Sequence, residues 1–216
     1  MTAVAIIGAG KVGTALARTA MRAGHAVTLV SASTLEDTRM IADIVASGAT
    51  VDTAPRATAT ARISILAIPL HKYRTLDQAV FAGRVVIDAM NYWPPVNGVL
   101  ADFERAPSSV VIAAQLPGAR LVKTLNHIGY HEVETGGLPP GTPSRRALGL
   151  ASDDVEAERA VAAFIDSLGY DPVGIGSLGA SAPLEPGTPI FSERMTAPEL
   201  RDEITSLSTS KERSWN

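Results

Sequence analysis

An apolar run that ends in a glycine-punctuated turn restricts this chain more than any other feature. Residues 3–8 read AVAIIG: short, β-branched and uncharged. That is the pattern of a strand buried on both faces. Gly8, Ala9, Gly10, Lys11, Val12 and Gly13 then give a GxGxxG spacing. Residues 14–24, TALARTAMRAG, are helix formers that stop at glycine, and residues 25–31, HAVTLVS, form a second strand. Strand, glycine turn, helix and strand within ~30 residues make the βαβ half of a Rossmann fold. The first glycine permits the tight turn, the second lets backbone approach a pyrophosphate, and the third lets the helix pack on the strand. The anion then rests on free N–H groups at the positive end of the helix. The bland alternative is a glycine-rich turn in a domain that has lost its nucleotide.

The alternation continues. Ser33 or Thr34 can cap a helix whose apolar positions Met40, Ile41, Ile44 and Val45 recur at helical spacing; Gly48 ends it. Residues 63–68, ISILAI, form another buried strand, closed by Pro69. Tyr73, Leu76 and Val80 share one face of a short helix stopped by Gly83, and residues 85–87 and 121–125 are further strands. Strands separated by helices predict an α/β fold, a Rossmann-type doubly wound parallel sheet. Residues 1–125 are the expected nucleotide-binding domain.

Beyond residue 126 the pattern changes. Residues 136–146, GGLPPGTPSRR, are a loop, and residues 147–150 a short strand. Asp153 and Glu156 suggest a capping box for a helix carrying Val161, Phe164, Ile165 and Leu168, ended by Gly169. A second Pro/Gly stretch covers residues 183–189. Thr196 and Glu199 repeat the capping pattern before Leu200, Ile204 and Leu207; the polar residues 208–216 are expected to fray. Residues 126–216 are thus expected to form a small C-terminal cap subdomain.

Composition removes several functions. Among 216 residues there is no cysteine, so no disulfide, thiolate nucleophile or iron–sulfur cluster; no metal centre is expected. A net charge of −3 offers no basic surface for nucleic acid or anionic membrane. No apolar run reaches the ~20 residues of a membrane span. Met1 leads straight into the first strand without a basic leader, so a cytoplasmic protein is expected. A homodimer is the default for such an enzyme.

The nucleotide can be read further. Dinucleotide folds that bind NAD place a carboxylate ~20 residues past the glycines, on the ribose 2′-OH. Here that place holds Ser31, Ala32 and Ser33, with Arg39 one to two turns into the next helix and Lys11 at the start of the first. Two hydroxyls and no carboxylate favour the 2′-phosphate of NADP; the same serines could simply cap the helix. Ala67, Ile68, Pro69 and His71 follow a central strand, where ribose and nicotinamide lie. His71 is as well explained by a surface position. Asp88, Ala89, Met90, Asn91, Tyr92, Trp93, Pro94 and Pro95 follow the next strand, as a nicotinamide-side wall, a hydrophobic plug or a dimer contact.

GAGKVG, LAIPLHKY, VIDAMNYWPP, VKTLNHIGYHE and SLGYDPVGIGSL occur in order from Val4 to about Pro189. Together they resemble the NADPH-dependent oxidoreductases of coenzyme F420, a deazaflavin. The resemblance implies hydride transfer between nicotinamide C4 and deazaflavin C5, with the rings stacked between the Rossmann sheet and the C-terminal part. It implies that Asn126, His127 and Ile128 meet the second ring, with Asn126 and the Ile128 N–H donating to its polar edge as the catalytic contacts. Ser31, Ala32, Ser33 and Arg39 would take the 2′-phosphate, and Ala67, Ile68, Pro69 and His71 would line the ribose–nicotinamide path. The chain departs from the family in lacking a basic residue directly after the first serine, and in carrying His127 where threonine is common. Arg145 and Arg146 could grip the acidic tail of a large cofactor or lie in a solvated loop. A flavin, ferric or small-molecule reductase, or a non-enzymatic NADP sensor, are the rival readings.

Overall fold

The computed structural model describes residues 1–191 and 193–213. Its first unit is the one the glycines demand: β1 (Ala3–Ile7), α1 (Lys11–Arg22) and β2 (Ala26–Val30). Then come α2 (Leu35–Val45), β3 (Thr50–Val51), α3 (Ala54–Thr60) and β4 (Ile63–Leu66). A 3₁₀ turn over Leu70–Thr75 and α4 (Gln78–Phe81) lead to β5 (Val85–Asp88). The single helix expected over Tyr73–Val80 is split because Asp77 caps α4, accepting from Ala79 N. α5 (Pro94–Asn97), α6 (Ser108–Gln115), β6 (Arg120–Lys123) and α7 (Tyr130–Thr135) follow. The chain closes with β7 (Ala147–Ser152), α8 (Val155–Ser167), β8 (Asp171–Gly176) and α9 (Ala197–Arg213).

The strands form one eight-stranded sheet, ordered β3-β2-β1-β4-β5-β6-β7-β8. Its first six strands are parallel, as expected of a doubly wound fold. The sheet is thus mostly parallel, with one antiparallel pair where β7 meets β6. The segment joining them, through α7 and the 136–146 loop, does not cross the sheet as a βαβ helix does. β8 is parallel to β7. The sheet therefore runs across the boundary expected between residues 125 and 126.

One apolar core lies between the sheet and α1, α2, α7 and α8, around Leu16, Ile65, Val133, Val161 and Phe164. The opposite face packs on α3, α4 and α6, through Ala57, Phe81, Ile112 and Leu116. α9 covers β7 and β8 through Leu200, beside Leu184 and Ile190.

Three local expectations need correction, and α2 adds an orientation that the spacing left open. α2 turns its small residues, Thr38 and Ala42, to the sheet and leaves Met40, Ile41, Ile44 and Val45 exposed. Spacing alone defines a stripe, not the side of the helix that meets the sheet. The cap of α8 is Asp154, accepting from Ala157 N, while Asp153 instead accepts from Leu178 N at 3.2 Å. α9 continues through Arg213, past Ser208 where fraying is expected; residues 214–216 lie outside the described residues. Glu199 does accept from Thr196 N at 2.7 Å, as the second capping pattern requires.

The third correction concerns Arg145 and Arg146, which are neither solvated nor free to hold a ligand. Arg145 is buried and bonds Asp166 at 2.8 Å and Asp171 at 2.7 Å. Arg146 is buried and bonds Glu132 at 2.9 Å, the His127 carbonyl at 3.1 Å and the Glu193 carbonyl at 2.9 Å. The two guanidiniums tie the 136–146 loop to α7 and α8. Removing a partner from a fully buried pair costs about 3–5 kcal/mol. Asp166 and Asp171 keep some solvent, so Arg145→Ala is expected to lower unfolding stability in urea by about 2–3 kcal/mol.

Candidate functional site

The loops that leave the parallel strands stand side by side along one edge of the sheet. Gly8 N donates to the Val30 carbonyl at 2.8 Å, Ala67 N to Ile7 at 2.9 Å, and Ala89 N to Leu66 at 3.2 Å. Strand order reverses between β1 and β4, so the crevice for a dinucleotide opens there.

The glycines have the separate roles the spacing predicts. Gly8 lies at φ +124°, and a Cβ on it would fall 2.4 Å from the Ala67 carbonyl oxygen. A Cβ on Gly13 would fall 1.8 Å from the Gly8 carbonyl oxygen, so α1 sits directly on the turn. Gly10 faces open space, with nothing within 4 Å of such an atom. Gly10 is also the N-cap of α1; no side chain caps the helix and no acidic residue occupies its first turn. The Lys11, Val12 and Gly13 amides precede Thr14 N, the first intrahelical donor, so they are the donors available to an anion. An open cradle over uncapped amides fits a dinucleotide's pyrophosphate.

A cavity of about 540 Å³ adjoins this turn. Gly8, Ala9, Gly10, Ser31, Ala32, Ser33, Ala67, Ile68 and Pro69 all line it. Arg39 and His71 are both exposed and neither is among its lining residues. The lining cation is Lys72, one residue beyond His71. Ala54, Pro55, Ile41 and the 75–77 turn complete the walls and were not legible in the motif. Ser31 Oγ accepts from Ser33 N at 3.2 Å, which leaves its hydroxyl proton free to point into the cavity. Thr34, not a serine, caps α2 through Asp37 N. The serines are thereby released from the capping role that competed with phosphate binding.

The second group of expected residues lies at the ends of β5 and β6. Asn91 Nδ2 donates to the Asn126 carbonyl at 2.7 Å, and Asn126 Nδ2 donates back to Asn91 Oδ1 at 3.0 Å. Asn126 Nδ2 also donates to the Leu184 carbonyl at 2.6 Å, and its Oδ1 lies 3.2 Å from His127 Nδ1. Both amide protons of Asn126 are therefore committed within the protein. Its side chain holds the turn and is not free to donate to a ring. Ala89 and Met90 are buried, Ile128 half-buried, and Ile128 packs on the same core as Ala67. Leu125 adopts φ +64°, the one described non-glycine residue in the left-handed region. Such a conformation costs about 1–3 kcal/mol and persists only where its surroundings enforce it. Lys11 Nζ lies 6.0 Å from the centre of the Tyr130 ring, so the glycine turn and the segment after β6 are neighbours.

His127 is a core histidine. Its Nε2 accepts from Gly149 N at 3.1 Å, and burial beside Arg146 and Lys123 lowers its pKa from 6.5 to about 3. It is neutral in the folded protein and protonates in the unfolded chain below about pH 6.5. The unfolded state then binds more protons, so stability falls as pH drops through the window from about 6.5 to 3.

This constellation defines a dinucleotide-binding site of the Rossmann class. Residues 3–92 match the family described as NADP oxidoreductase coenzyme F420-dependent, so the resemblance seen in the sequence holds over that span and the chain is an NADP-linked oxidoreductase. A hypothetical protein from Sinorhizobium meliloti is 28% identical with a TM-score of 0.78, over 91% of this chain and 96% of that one. A putative F420-dependent NADP reductase from Arthrobacter sp. is 19% identical with a TM-score of 0.71, over 91% and 100%. An imine reductase from Myxococcus stipitatus, solved with NAD+, is 16% identical with a TM-score of 0.58, over 83% of this chain but 56% of that one. Those last two likenesses concern the fold. No curated protein matches the chain. No described helix is long and apolar enough to cross a membrane.

Two outcomes follow from this geometry. Gly13→Ala is expected to abolish NADPH binding in calorimetric titration, because α1 must move away from the turn, while the wild type binds. Between pH 7 and pH 5 the His127 linkage should remove about 2 kcal/mol of unfolding stability. That fraction should be missing from the pH dependence of His127→Gln, read by urea unfolding at both pH values.

Proposed function

We propose that this protein transfers a hydride between NADP(H) and coenzyme F420, a deazaflavin. The observation that carries the reading is the adjacency of two differently built stretches of one sheet edge. One is an open glycine cradle with a serine-lined cavity; the other is a pair of rigid turns after β5 and β6. The description of the family matched over residues 3–92, and the ordered motifs beyond them, support deazaflavin as the second ring.

The nicotinamide and deazaflavin rings, when bound, supply hydride donor and acceptor, so this chain's task is placement and electrostatics. The α1 amides and Gly10 hold the pyrophosphate. Ser31 and Ser33, with Lys72 on the facing wall, suit a 2′-phosphate better than a bare 2′-OH. Ala67, Ile68 and Pro69 direct the ribose along the edge toward Ala89, Met90 and Asn91. The turn at Leu125–Ile128 borders the second ring's polar edge, and the Ile128 N–H is the donor assigned there. Asn126 acts by fixing that turn. Donors already in place where charge develops need not reorganise during the reaction.

Mixing the protein with NADPH and coenzyme F420 should bleach the deazaflavin absorbance; NADPH binding without consumption would instead mark a sensor. Flavin reduced in place of deazaflavin would move the protein to the rival enzyme class. The Ser31→Ala/Ser33→Ala variant should lose roughly tenfold or more in NADPH affinity with NADH affinity unchanged, since a hydrogen bond to a charged group contributes about 1.5–3 kcal/mol. Asn126→Ala should lower kcat with little change in KM for NADPH. It should also cost about 1–3 kcal/mol of stability, because the buried Leu184 carbonyl loses its donor.

A further inference from the structure

Lys123 and Asp88 form an ion pair with no solvent exposure, at the ends of neighbouring strands β6 and β5. The ammonium has three protons and three partners: Asp88 Oδ2 at 3.3 Å, the Met90 carbonyl at 2.5 Å and Ser108 Oγ at 3.2 Å. Asp88 Oδ2 also accepts from Ser109 Oγ at 2.5 Å, and Oδ1 accepts from Met90 N at 3.0 Å. The pair thus grips Met90 by its N–H and its carbonyl together. The next residue, Asn91, is the one bound reciprocally to Asn126. Leu125, in its left-handed conformation, immediately precedes Asn126. Apolar side chains of similar volume replace buried ion pairs with little loss of stability, or a gain. A fold that needed only a filled core would not need two charges here. What the charges add is a fixed position for one peptide unit.

We propose that the Lys123–Asp88 pair is a positioning device for hydride transfer: it fixes the turn after β5 and, through Asn91 and Asn126, the turn after β6. Neither residue touches a ring. Both act on the distance between the nicotinamide side of the edge and the second-ring side. This rests on the proposed function, since it assumes a ring on each side. Its chemical basis is that misplacing reacting groups by about 1 Å can cost on the order of a hundredfold in rate.

The test is Lys123→Met/Asp88→Asn, which removes both charges together and leaves neither stranded. The side-chain amide oxygen then at position 88 can still accept from Met90 N, but the Met90 carbonyl loses its clamp. Three readings are taken against wild type: the thermal midpoint, the NADPH dissociation constant by titration, and kcat and KM with NADPH and coenzyme F420. The expected result is a midpoint lowered only modestly, as one unpaired buried carbonyl requires, unchanged NADPH affinity and KM, and a kcat lower by roughly a hundredfold. Backbone amides of residues 89–92 and 124–128 should exchange faster with deuterium. Asn91→Ala, which keeps the pair and cuts the link, should lower kcat in the same way. A double variant that keeps its kcat overturns the proposal, as does an Asn91→Ala enzyme of full activity. Should wild type fail to reduce the deazaflavin, the proposed function falls, and with it the catalytic half of this inference. The exchange measurement then decides the structural half: unchanged exchange in both segments overturns it, and faster exchange upholds it.

Discussion

The approach of α1 to the first turn sets the terms for the rest of the molecule. Gly13 lies so close to the Gly8 carbonyl that no side-chain atom fits between them. That contact aims the uncapped end of α1 along the sheet edge and keeps Gly10 clear. With β1 fixed by α1, β2 and β4 pair on either side of it, and their loops bring Ser31–Ser33 and Ala67–Pro69 to one cavity. Everything that would touch a dinucleotide is placed by this single helix–strand approach.

The adjoining stretch of the edge is built on a different principle. The glycine cradle depends on absent side chains, whereas the turns after β5 and β6 depend on polar groups saturated by one another. Asp88, Lys123, Asn91 and Asn126 leave few protons unassigned. Saturated buried networks are rigid because any displacement breaks several bonds at once. The edge thus combines an open, amide-lined half with a closed, cross-tied half. That division of labour suits one ligand that is gripped by its phosphates and another that must be met at a set distance.

Much of this is written locally in the chain. The glycine spacing predicts β1, α1 and β2, and the apolar runs predict β4, β5 and β6, because each signal lies within a few residues of the structure it causes. Thr196 and Glu199 mark the start of α9 for the same reason. The remainder depends on partners distant in sequence. Arg145 and Arg146 sit in a Gly/Pro-rich stretch that reads as solvated; they are buried because Asp166, Asp171 and Glu132 come to them. His127 and Asn126 look free to meet a ligand until Gly149 and Leu184 are brought beside them. The outward stripe on α2 is regular in period, yet the sheet selects Thr38 and Ala42. β3 has two residues, too few for any alternation to show.

The reversal at β7 has a consequence beyond the count of strands. Lys123, the last residue of β6, pairs with Ala151, so the first residues of β7 project past the end of β6. Gly149 reaches His127 there, and Arg146 holds the His127 carbonyl. The sheet itself supplies a parapet beside the 125–128 turn. Its shape is governed by residues 146–149, well separated along the sheet from β2 and the serines. Change in the parapet can remodel what the far end of the edge accepts while the phosphate cradle stays as it is, so the two halves of such a protein are free to diverge at different speeds.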